Sequence, residues 1–422
     1  MISKVGDEMN VLLLAPEPFY QDRGTPIAID RVLKVLAERG DQVDVVTYHE
    51  GSEVKYDHVT VHRILNIPFI HHIRPGFSWK KVICDVFMFF EVLRLAFSER
   101  YHLVHAVEES IFIALVLKAL FKIPYVYDMD SSLAQQMVEQ YPLLTPFFSI
   151  LSFFEGLAVR NAKVVVPVCD ALAAITEKHR PEKIVVLRDV SLLEDMQCQD
   201  QGNLKAELGI SGLLLMYVGN VEAYQGIDLL LESFALVLKK TDQAELVIIG
   251  GEASDIQEYQ EKSRRLGIHR RVHFLGPKPV EYLARYLSEA DILVSPRIKG
   301  NNTPMKIYSY LHSGRAILAT DLPTHTQVLN DRVAMLAEPT PEAFSEGMLR
   351  LIQYKPLRLE LGITGQMLVE ERYTYSVFRE MLNGLYDWLK TEVDQDDNFI
   401  ANTVERIPKS MKEDRPFAKR LP

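Results

Sequence analysis

The chain has 422 residues, 48% of them hydrophobic, which is typical of a globular protein too long for one hydrophobic core. Two domains of roughly 150–200 residues each are therefore expected. The net charge of −10 argues against a nucleic-acid partner, because contacts with phosphates require clustered Lys and Arg.

The first part of the chain alternates between apolar strands and amphipathic helices. MNVLLLAP is a continuous apolar run bounded by Pro, and TPIAIDRVLKVLAERG follows it with helical periodicity and a closing Gly. The next predicted strands are DQVDVVTY, YHLVHAV, IPYVYDMD, KVVVPV and KIVVL, with helices at 109–121 and up to about residue 162. This alternation predicts a doubly wound α/β domain over residues 1–188.

The alternation restarts after a polar stretch at 189–212, which is predicted to be a linker. LLLMYVGN, AELVIIGG, RVHFLG, ADILVSP and RAILATD are predicted strands, with helices between them and a further helix at 341–353. A second α/β domain is expected over 213–374, followed by a helix at 375–392 that crosses back and a flexible tail at 393–422. The predicted fold class is two Rossmann-like doubly wound domains facing each other across a cleft, where ligands commonly bind.

Neither export nor a membrane-spanning segment is expected from the sequence. The N-terminal MISKVGDEMN contains no apolar signal region, and no run of 18 uncharged apolar residues occurs. The three cysteines have neither metal-site nor disulfide spacing, which favours the reduced cytoplasm. Two apolar and aromatic segments, 77–97 and 141–160, are candidates for contact with a membrane surface, the alternative being two core helices.

Two predicted helices begin with the same Thr-Pro motif. Thr25 in RGTPIAIDRVL and Thr303 in NNTPMKIYSYL are placed to cap their helices, with Pro26 and Pro304 at the first helical positions. Each helix follows a strand, so its free N–H groups lie at the sheet edge where α/β proteins bind ligands, and they suit phosphate. The alternative for either motif alone is an ordinary helix start.

Cations and glycines surround the second of these motifs. Arg297 and Lys299 precede it, and Lys306 occupies the predicted first turn, where a cation opposes the helix dipole and so indicates a bound anion. A solvated surface lysine is the alternative. Gly219 and Gly226 end the first strand of the second domain and begin its helix, a pair that loop geometry alone also explains.

The second half of the chain resembles the nucleotide-sugar domain of family 4 (group 1) glycosyltransferases in YVGNVEAYQGIDLLLESFA, VHFLG, ADILVSPR and TPMKIYSYLHSGRAILATD, in that order. VLLLAPEPFYQDRGTPIAIDRVLKVLAERGDQVDVVT resembles the acceptor domain of the same family. The resemblance covers about residues 10–390 and implies the B-type fold of two Rossmann-like domains. It also implies transfer of a sugar from a nucleotide-diphosphate donor, commonly with retention of configuration and without an obligatory metal or other cofactor.

The resemblance places the donor diphosphate against the helix that follows Thr303. The donor-binding residues that it implies are Gly219, Asn220, Gln225, Gly226, Arg297, Lys299, Asn302, Thr303, Pro304, Met305, Lys306 and Ser309.

The chain departs from the family pattern at four of its positions. Many members have Arg and Lys at the positions of Asn220 and Gln225, and two Glu at those of Asn301 and Ser309. Arg297, Lys299 and Lys306 are candidates to replace the missing cations. The Ser309 hydroxyl retains one hydrogen bond to the donor ribose. The donor base, the donor sugar and the choice between retention and inversion stay open.

Four carboxylates follow two neighbouring predicted strands of the first domain. Glu108 and Glu109 come directly after YHLVHAV, and Asp128 and Asp130 lie in YDMDSS. Carboxylates grouped in this way are costly unless they are solvated, paired or used, so we expect them to bind the acceptor hydroxyl or accept its proton. Loop solvation is the alternative.

Residues of the first helix and of a strand complete the acceptor side. Arg23, Gly24 and Thr25 are predicted to form the acceptor-side loop. Many family members have an active-site His where this chain has Val107, two residues beyond His105, so His105 is predicted to be a packed strand residue.

The sequence and this resemblance together predict a cytoplasmic glycosyltransferase, with the inner face of the membrane as an alternative place of action, in the manner of polysaccharide biosynthesis enzymes. Its acceptor is a glycan, a lipid-linked saccharide or a small metabolite. One alternative is a nucleotide-sugar epimerase of the same fold, and another is a non-catalytic nucleotide- or sugar-binding protein, which the missing Glu and basic pair favour. A dinucleotide dehydrogenase is disfavoured because no G-x-G-x-x-G follows the first strand of either domain.

Overall fold

The computed structural model describes residues 8–73, 76, 78–195 and 203–405. Its first half is built on a parallel six-stranded sheet with the strand order β3-β2-β1-β4-β5-β6. The strands are β1 (Asn10–Ala15), β2 (Gln42–Thr47), β3 (Val59–Arg63), β4 (Leu103–Val107), β5 (Tyr125–Met129) and β6 (Val164–Pro167). The helices of this half are α1 (Gly24–Arg39), α2 (Trp79–Ser98), α3 (Ile111–Phe121), α4 (Leu133–Gln140), α5 (Phe148–Asn161) and α6 (Asp170–Glu177).

The second half repeats this plan. Its parallel sheet has the order β12-β11-β10-β7-β8-β9, which is the same order when the strands are counted within their own domain. The strands are β7 (Leu213–Val218), β8 (Ala244–Ile249), β9 (Val272–Gly276), β10 (Ile292–Ser295), β11 (Ala316–Thr320) and β12 (Met335–Ala337). The helices are α7 (Leu204–Glu207), α8 (Ile227–Leu238), α9 (Ala253–Arg265), α10 (Leu283–Glu289), α11 (Lys306–His312), α12 (Pro323–Thr326), α13 (Pro341–Gln353), α14 (Lys355–Arg372) and α15 (Tyr375–Glu405).

Helices cover both faces of the first sheet. The helices α2, α3 and α5 pack on one face, against side chains such as Leu12 and Tyr127. The helices α1 and α15 cover the other face, where Leu13 lies in one cluster with Leu36 and Leu382. Because both faces of the sheet are buried, the central strands are continuously apolar rather than alternating. The two Rossmann-like domains predicted from the sequence are confirmed.

Three predicted boundaries need correction. KIVVL is not a strand, since only Ile184 forms an isolated bridge, to Val165. The last helix continues past residue 392 to Glu405, so the nearer part of the predicted flexible tail is helical. The predicted linker contains α7, whose Leu204 is buried. The remainder of the tail, 406–422, and the linker residues 196–202 lie outside the described residues.

The helix α15 returns from the second half of the chain to the first sheet. Its buried residues Leu382, Leu385, Tyr386 and Leu389 recur at the spacing of one helical face and join the core beside α1. This periodic apolar stripe is the physical reason that the helix docks there.

Candidate active site between the two sheets

Both sheets have a topological switch point where the order of strands reverses. It lies between β1 and β4 in the first sheet and between β7 and β10 in the second. Open α/β sheets bind ligands in the crevice outside the carboxyl ends of the strands at such a point. The residues that follow these four strands are therefore the first place to look for a functional site.

A buried arginine follows β10 at the second switch point. The Arg297 guanidinium donates from Nε to the carbonyl of Lys299 at 2.7 Å and from Nη2 to Asn302 Oδ1 at 2.7 Å. Its Cζ lies 5.1 Å from the centroid of the Tyr224 ring. The loop is therefore wrapped around the guanidinium, while the side chain of Lys299 is exposed and stands apart.

Lys306 approaches the same switch point from α11. Its ammonium donates to Gln225 Oε1 at 3.2 Å and lies 3.9 Å from the centroid of the Tyr217 ring. Burial, and after it the charge of Arg297, holds the pKa of Lys306 well below its usual value. Within the described part of the chain, neither Lys306 nor Arg297 forms an ion pair with a carboxylate. Two enclosed cations without a counter-ion make this place attractive to an anion.

Two glycines make room for this arrangement. Gly219 has a φ of 146°, and a Cβ built on it would lie 2.8 Å from the Lys306 Nζ. Gly226 has a φ of 75°, and a Cβ there would collide with the carbonyl oxygen of Pro296. Both positions therefore require glycine for a close approach. Asn220 is exposed, and its amide lies 3.5 Å from the Tyr224 hydroxyl.

The two Thr-Pro motifs do not cap their helices as predicted. The helix α11 begins at Lys306, because the turn before it is tightened by hydrogen bonds from the Ile307 and Tyr308 amides to the carbonyls of Pro304 and Met305. The hydroxyl of Thr303 is buried and has no hydrogen-bond partner among the described residues.

The first motif differs in another way. The helix α1 begins at Gly24 with Arg23 in the cap position, so Thr25 lies inside the first turn. The Thr25 hydroxyl donates to the carboxyl of Asp130 instead of to a backbone acceptor of its own helix. Its role is therefore to join α1 to the loop after β5.

The ribose contact of Ser309 stays a prediction, and the structure shows a further hydrogen bond of the same hydroxyl. Ser309 is 1% exposed, and its Oγ accepts a hydrogen bond from the backbone amide of Leu192 at 3.1 Å. The hydroxyl therefore ties α11 to the predicted linker. The short side chain of Ser309 fits this packed contact, whereas the longer Glu that many family members have at this position would extend beyond it.

The four predicted carboxylates divide into two kinds. Glu109 pairs with the ammonium of Lys81, and Asp128 Oδ2 lies 3.2 Å from His105 Nε2. The other ring nitrogen of His105 lies 2.8 Å from the Tyr386 hydroxyl. His105 is 1% exposed, which confirms that it is a packed strand residue.

Glu108 and Asp130 form the second kind, since neither has a cationic partner among the described residues. The Ser131 hydroxyl donates to Glu108 Oε2 at 3.0 Å. Burial, and then the charges of Asp130 and Glu109, raises the pKa of Glu108 well above its usual value. The pKa of Asp130 is also raised well above its usual value, by burial first and then by the negative charges of Asp128 and Asp189. Both shifts favour the protonated form, in which a carboxyl can also donate a hydrogen bond.

Sequence reasoning missed two further acids at this edge. Glu17 follows β1, and burial raises its pKa to about 8 although Lys81 works against that shift. Its Oε1 is enclosed without a partner in the part of the chain that the structure describes. Burial, and then Asp128, raises the pKa of Asp189 to about 7. Glu17 and Asp189 each stand alone in a loop and carry no sequence signal, because only the fold brings them to the cluster.

The acceptor-side loop meets the same edge. Arg23 Nη2 donates to the carbonyl of Ile73 at 3.1 Å and also contacts the Gln21 side chain. Burial lowers the pKa of Arg23, although Glu17 and Glu50 oppose that change.

The two domains touch beside the loop that follows β10. The Asn301 amide donates to Gln135 of the first domain, and Cys169 Sγ lies 3.4 Å from the Asn301 carbonyl oxygen. The amide of Ala171 donates to Gln327 Oε1 at 2.8 Å. The carboxylate edge of one sheet and the cationic edge of the other therefore belong to one cleft.

The chain matches two families of known proteins. Residues 212–354 match the family described as "Glycosyl transferases group 1", and residues 23–188 match the "Glycosyl transferase 4-like domain". A D-inositol 3-phosphate glycosyltransferase from Corynebacterium diphtheriae is 21% identical over 388 residues, which cover 86% of this chain and 89% of the relative. A phosphatidyl-myo-inositol mannosyltransferase from Mycobacterium tuberculosis is 25% identical over 183 residues, which cover 42% of this chain and 47% of the relative.

Solved structures share the fold at low sequence identity. Sucrose-phosphate synthase from Thermosynechococcus elongatus has a TM-score of 0.75 and 17% identity, covering 91% of this chain and all of its own. HepE from Anabaena, solved in complex with UDP-glucose, has a TM-score of 0.70 and 14% identity, covering 90% of this chain and all of its own.

Proposed function

Because the chain belongs to the group 1 glycosyltransferases and has their B-type fold, we propose that it transfers a sugar from a nucleotide-diphosphate donor to a lipid-linked acceptor at a membrane surface. The observation that carries the donor half of this proposal is the pair of cations at the second switch point, Arg297 and Lys306. Support for a nucleotide sugar also comes from HepE, a structural neighbour solved with UDP-glucose.

The two cations stabilise the leaving group. When the bond between the sugar and the donor phosphate breaks, negative charge accumulates on the diphosphate, and enclosed cations interact with that charge more strongly than water does. Burial favours the neutral form of Lys306 in the empty site. A bound diphosphate reverses this preference, because an adjacent negative charge stabilises the ammonium. Donor binding therefore prepares the charge that the reaction needs.

The acceptor binds at the carboxylate edge of the first sheet. Burial raises the pKa of Glu17, Glu108 and Asp130, which favours protonated carboxyls that can donate hydrogen bonds, whereas Glu109 and Asp128 are paired with Lys81 and His105 and can accept them. A mixture of donors and acceptors suits a polyhydroxylated molecule, each of whose hydroxyls does both. The names of two relatives, which act on inositol-containing molecules, support an acceptor of this class. Following the family, the acceptor hydroxyl attacks from the face of the leaving group and configuration is retained.

The membrane contact is proposed from an apolar surface on the first domain. The outer sides of α2, α3 and α5 and the turn before α5 expose large hydrophobic side chains, while their inner sides pack on the sheet. The exposed residues are Trp79, Val82, Val86, Phe90, Phe97, Phe112, Val116, Leu120, Leu143, Phe147, Phe148, Ile150, Phe153 and Phe154. We call these residues the apolar face.

The apolar face is continuous across neighbouring helices. Phe97 of α2 and Phe121 of α3 meet edge to face with ring centroids 5.0 Å apart. The segment Pro142–Asn161 has a mean hydropathy of 1.5 and is 22% buried, so by length and composition it could cross a membrane. Its Ala158 and Val159 belong to the core, and this favours a helix lying on the membrane instead.

A lipid surface is favoured over a protein partner by the residues at the ends of these helices. The exposed cations Lys122 and Arg160 accompany the aromatic side chains, which is the composition of helices that lie in an anionic membrane interface. The buried thiols of Cys84 and Cys169 are unpaired, which supports the cytoplasmic side of the membrane. A lipid-linked acceptor would reach the carboxylate edge from the same domain.

Incubation with labelled nucleotide sugars tests the function. With membrane lipid extract added, we expect label to pass into a lipid fraction, and with the donor alone only slow release of free sugar. Rapid conversion of the donor alone would indicate an epimerase. Nucleotide binding without turnover in any lipid extract would indicate a non-catalytic binder.

Flotation with anionic vesicles tests the membrane contact. The Phe97→Ser/Phe153→Ser double variant should lose most of the vesicle-bound fraction, because it removes two apolar anchors. Ile363→Ser is the matched control, since Ile363 is an equally exposed apolar side chain on α14 of the second domain. A double variant that floats like the control would contradict this part of the proposal, and salt-insensitive self-association would identify a second copy of the chain as the occupant.

A further inference from the structure

We propose that the first domain contains a binding site for a zinc-class divalent ion, formed by His49, Glu50 and His71. The ligand atoms that these three side chains offer all lie within 4.8 Å of one another. They come from two places in the chain, the loop after β2 and the long loop before α2. The cluster is distinct from the cation pair of the donor site, and no step of sugar transfer is assigned to it.

The hydrogen bonding of His49 leaves one ring nitrogen free to bind a metal. Its Nε2 lies 2.8 Å from the carbonyl oxygen of Ile70, and because a carbonyl only accepts, this nitrogen carries the proton. Nδ1 therefore holds a lone pair, and it is buried without a hydrogen-bond partner in the described ranges of the chain. A ring nitrogen that donates to a backbone carbonyl while the other binds the ion is the usual arrangement of metal-binding histidines.

Glu50 is held in place by two backbone amides. Its Oε1 accepts from the amide of His72 at 2.9 Å and its Oε2 from the amide of Ile73 at 3.2 Å. Each oxygen accepts two hydrogen bonds or ligand bonds, so one position on each remains for a cation.

His71 completes the cluster at a spacing that suits a metal. Its Nδ1 lies 3.6 Å from Glu50 Oε1, which is too long for a hydrogen bond. Two ligands of one tetrahedral zinc, each bound at about 2.0–2.2 Å, lie about 3.4 Å apart. The observed separation is therefore close to the one that an ion between the two atoms would impose.

The three ligand types restrict the metal ions that the cluster can bind. Two imidazole nitrogens and one carboxylate oxygen are ligands that zinc prefers, whereas magnesium and calcium require mostly oxygen. Among first-row metals, nickel and copper also bind such a set, so selection rests on the metals available.

The position of the cluster gives the ion a structural role. Ile73, whose amide binds Glu50, accepts a hydrogen bond from Arg23 through its carbonyl. An ion bound here would therefore join β2 to the loop that holds Arg23, beside the start of α1. Metal binding would stiffen the acceptor side of the cleft.

Zinc titration of the full chain after treatment with a chelator tests the proposal. We expect one zinc per chain, measured by competition with a chromophoric chelator, and an increase in Tm on zinc addition. His71→Asn should weaken zinc affinity by about 100-fold, because it removes one of three ligands. His71 is 56% exposed, so the variant should fold and melt like the parent without zinc.

His72→Asn is the matched control. His72 is the exposed neighbour in sequence, its side chain lies outside the cluster, and Asn tolerates its φ of 55°. Its zinc affinity should stay within about twofold of the parent, because the metal ligands are retained. Cobalt in place of zinc should give visible absorption of a tetrahedral site in the parent and in His72→Asn. An equal loss of affinity in both variants, or no stoichiometric zinc in the parent, would overturn the proposal.

Discussion

The two switch points of this protein have the same strand order and opposite electrostatics. At the second switch point Arg297 and Lys306 lie together without a carboxylate among the described residues, and burial favours the neutral form of Lys306 until an anion binds. At the first, burial raises the pKa of Glu17, Glu108 and Asp130, which favours their protonated forms. The same topology therefore presents cations at the edge of the second sheet and acids at the edge of the first, which is the basis of the proposed diphosphate and polyol sites.

The largest effect is expected from removing a cation. Arg297→Ala and Lys306→Met should each lower nucleotide-diphosphate affinity by about tenfold to a hundredfold, since each removes a charge-assisted hydrogen bond worth about 1.5–3 kcal/mol. Isothermal titration with UDP and GDP measures this. Lys299→Ala is the matched control, because its exposed side chain should change affinity by less than about twofold.

The stability of the ligand-free protein gives a second test of the role of Lys306. Lys306→Met should leave the free energy of unfolding unchanged or raised, because it removes a cation that burial disfavours. A variant that is destabilised and yet binds nucleotide diphosphate normally would show that Lys306 is structural.

The paired carboxylates should affect turnover and leave donor binding intact. Asp128→Asn removes the charge that orients His105, and Glu109→Gln removes the partner of Lys81, so each should lower kcat by more than about tenfold. Steady-state kinetics and donor titration on the same variants separate the two properties. Donor affinity that falls as far as turnover would contradict the assignment of donor and acceptor to different sheets.

The protonated acids predict a pH dependence of stability. The pKa of Glu17 is raised to about 8, so between pH 5 and 8 the folded protein binds more protons than the unfolded chain and its free energy of unfolding falls as the pH rises. One such group contributes at most about 1.4 kcal/mol per pH unit. Urea titrations across this range should show a shallower slope for Glu17→Gln. An unchanged slope would mean that Glu17 ionises normally.

The smallest effect on donor affinity is expected from a change at Ser309. Ser309→Ala leaves the buried amide of Leu192 without its partner, which costs about 1–3 kcal/mol of stability. Because the hydroxyl is engaged with the linker, donor affinity should stay within about twofold of the parent. Thermal melts and UDP titration check both. A loss of UDP affinity larger than the loss of stability would support the ribose contact predicted from sequence.

Sequence patterns predicted most of the fold because buried parallel strands must be apolar throughout. The central strands β1, β4, β5, β7, β8, β10 and β11 were all predicted for this reason, while the edge strands β3 and β12 lack such runs and were missed. The helix α14 was missed as well, and its buried residues Leu361, Gly362, Gly365 and Val369 include two glycines, so they do not show a clear apolar stripe.

The site was predicted less completely because much of it depends on tertiary contacts. Arg297 and Lys306 were found because cations beside a glycine-flanked turn carry a local signal. Glu17 and Asp189 were not, since nothing near them in the chain indicates burial. The Thr-Pro motifs were misread at Thr25 and Thr303 because the surrounding loops, not the local sequence, decide where each helix begins.

The return of α15 to the first sheet also has a consequence for how the chain is made. Tyr386, which binds His105 beside the carboxylate edge, comes after the whole second domain in chain order. While the ribosome is still producing the second domain, the face of the first sheet that α1 and α15 cover has only α1. Leu13 and Leu36 then lack their apolar neighbours from α15. Domains usually fold in order as they emerge from the ribosome. Here the domain that is synthesised first is completed last, and its carboxylate edge is assembled only when the second domain has already been translated.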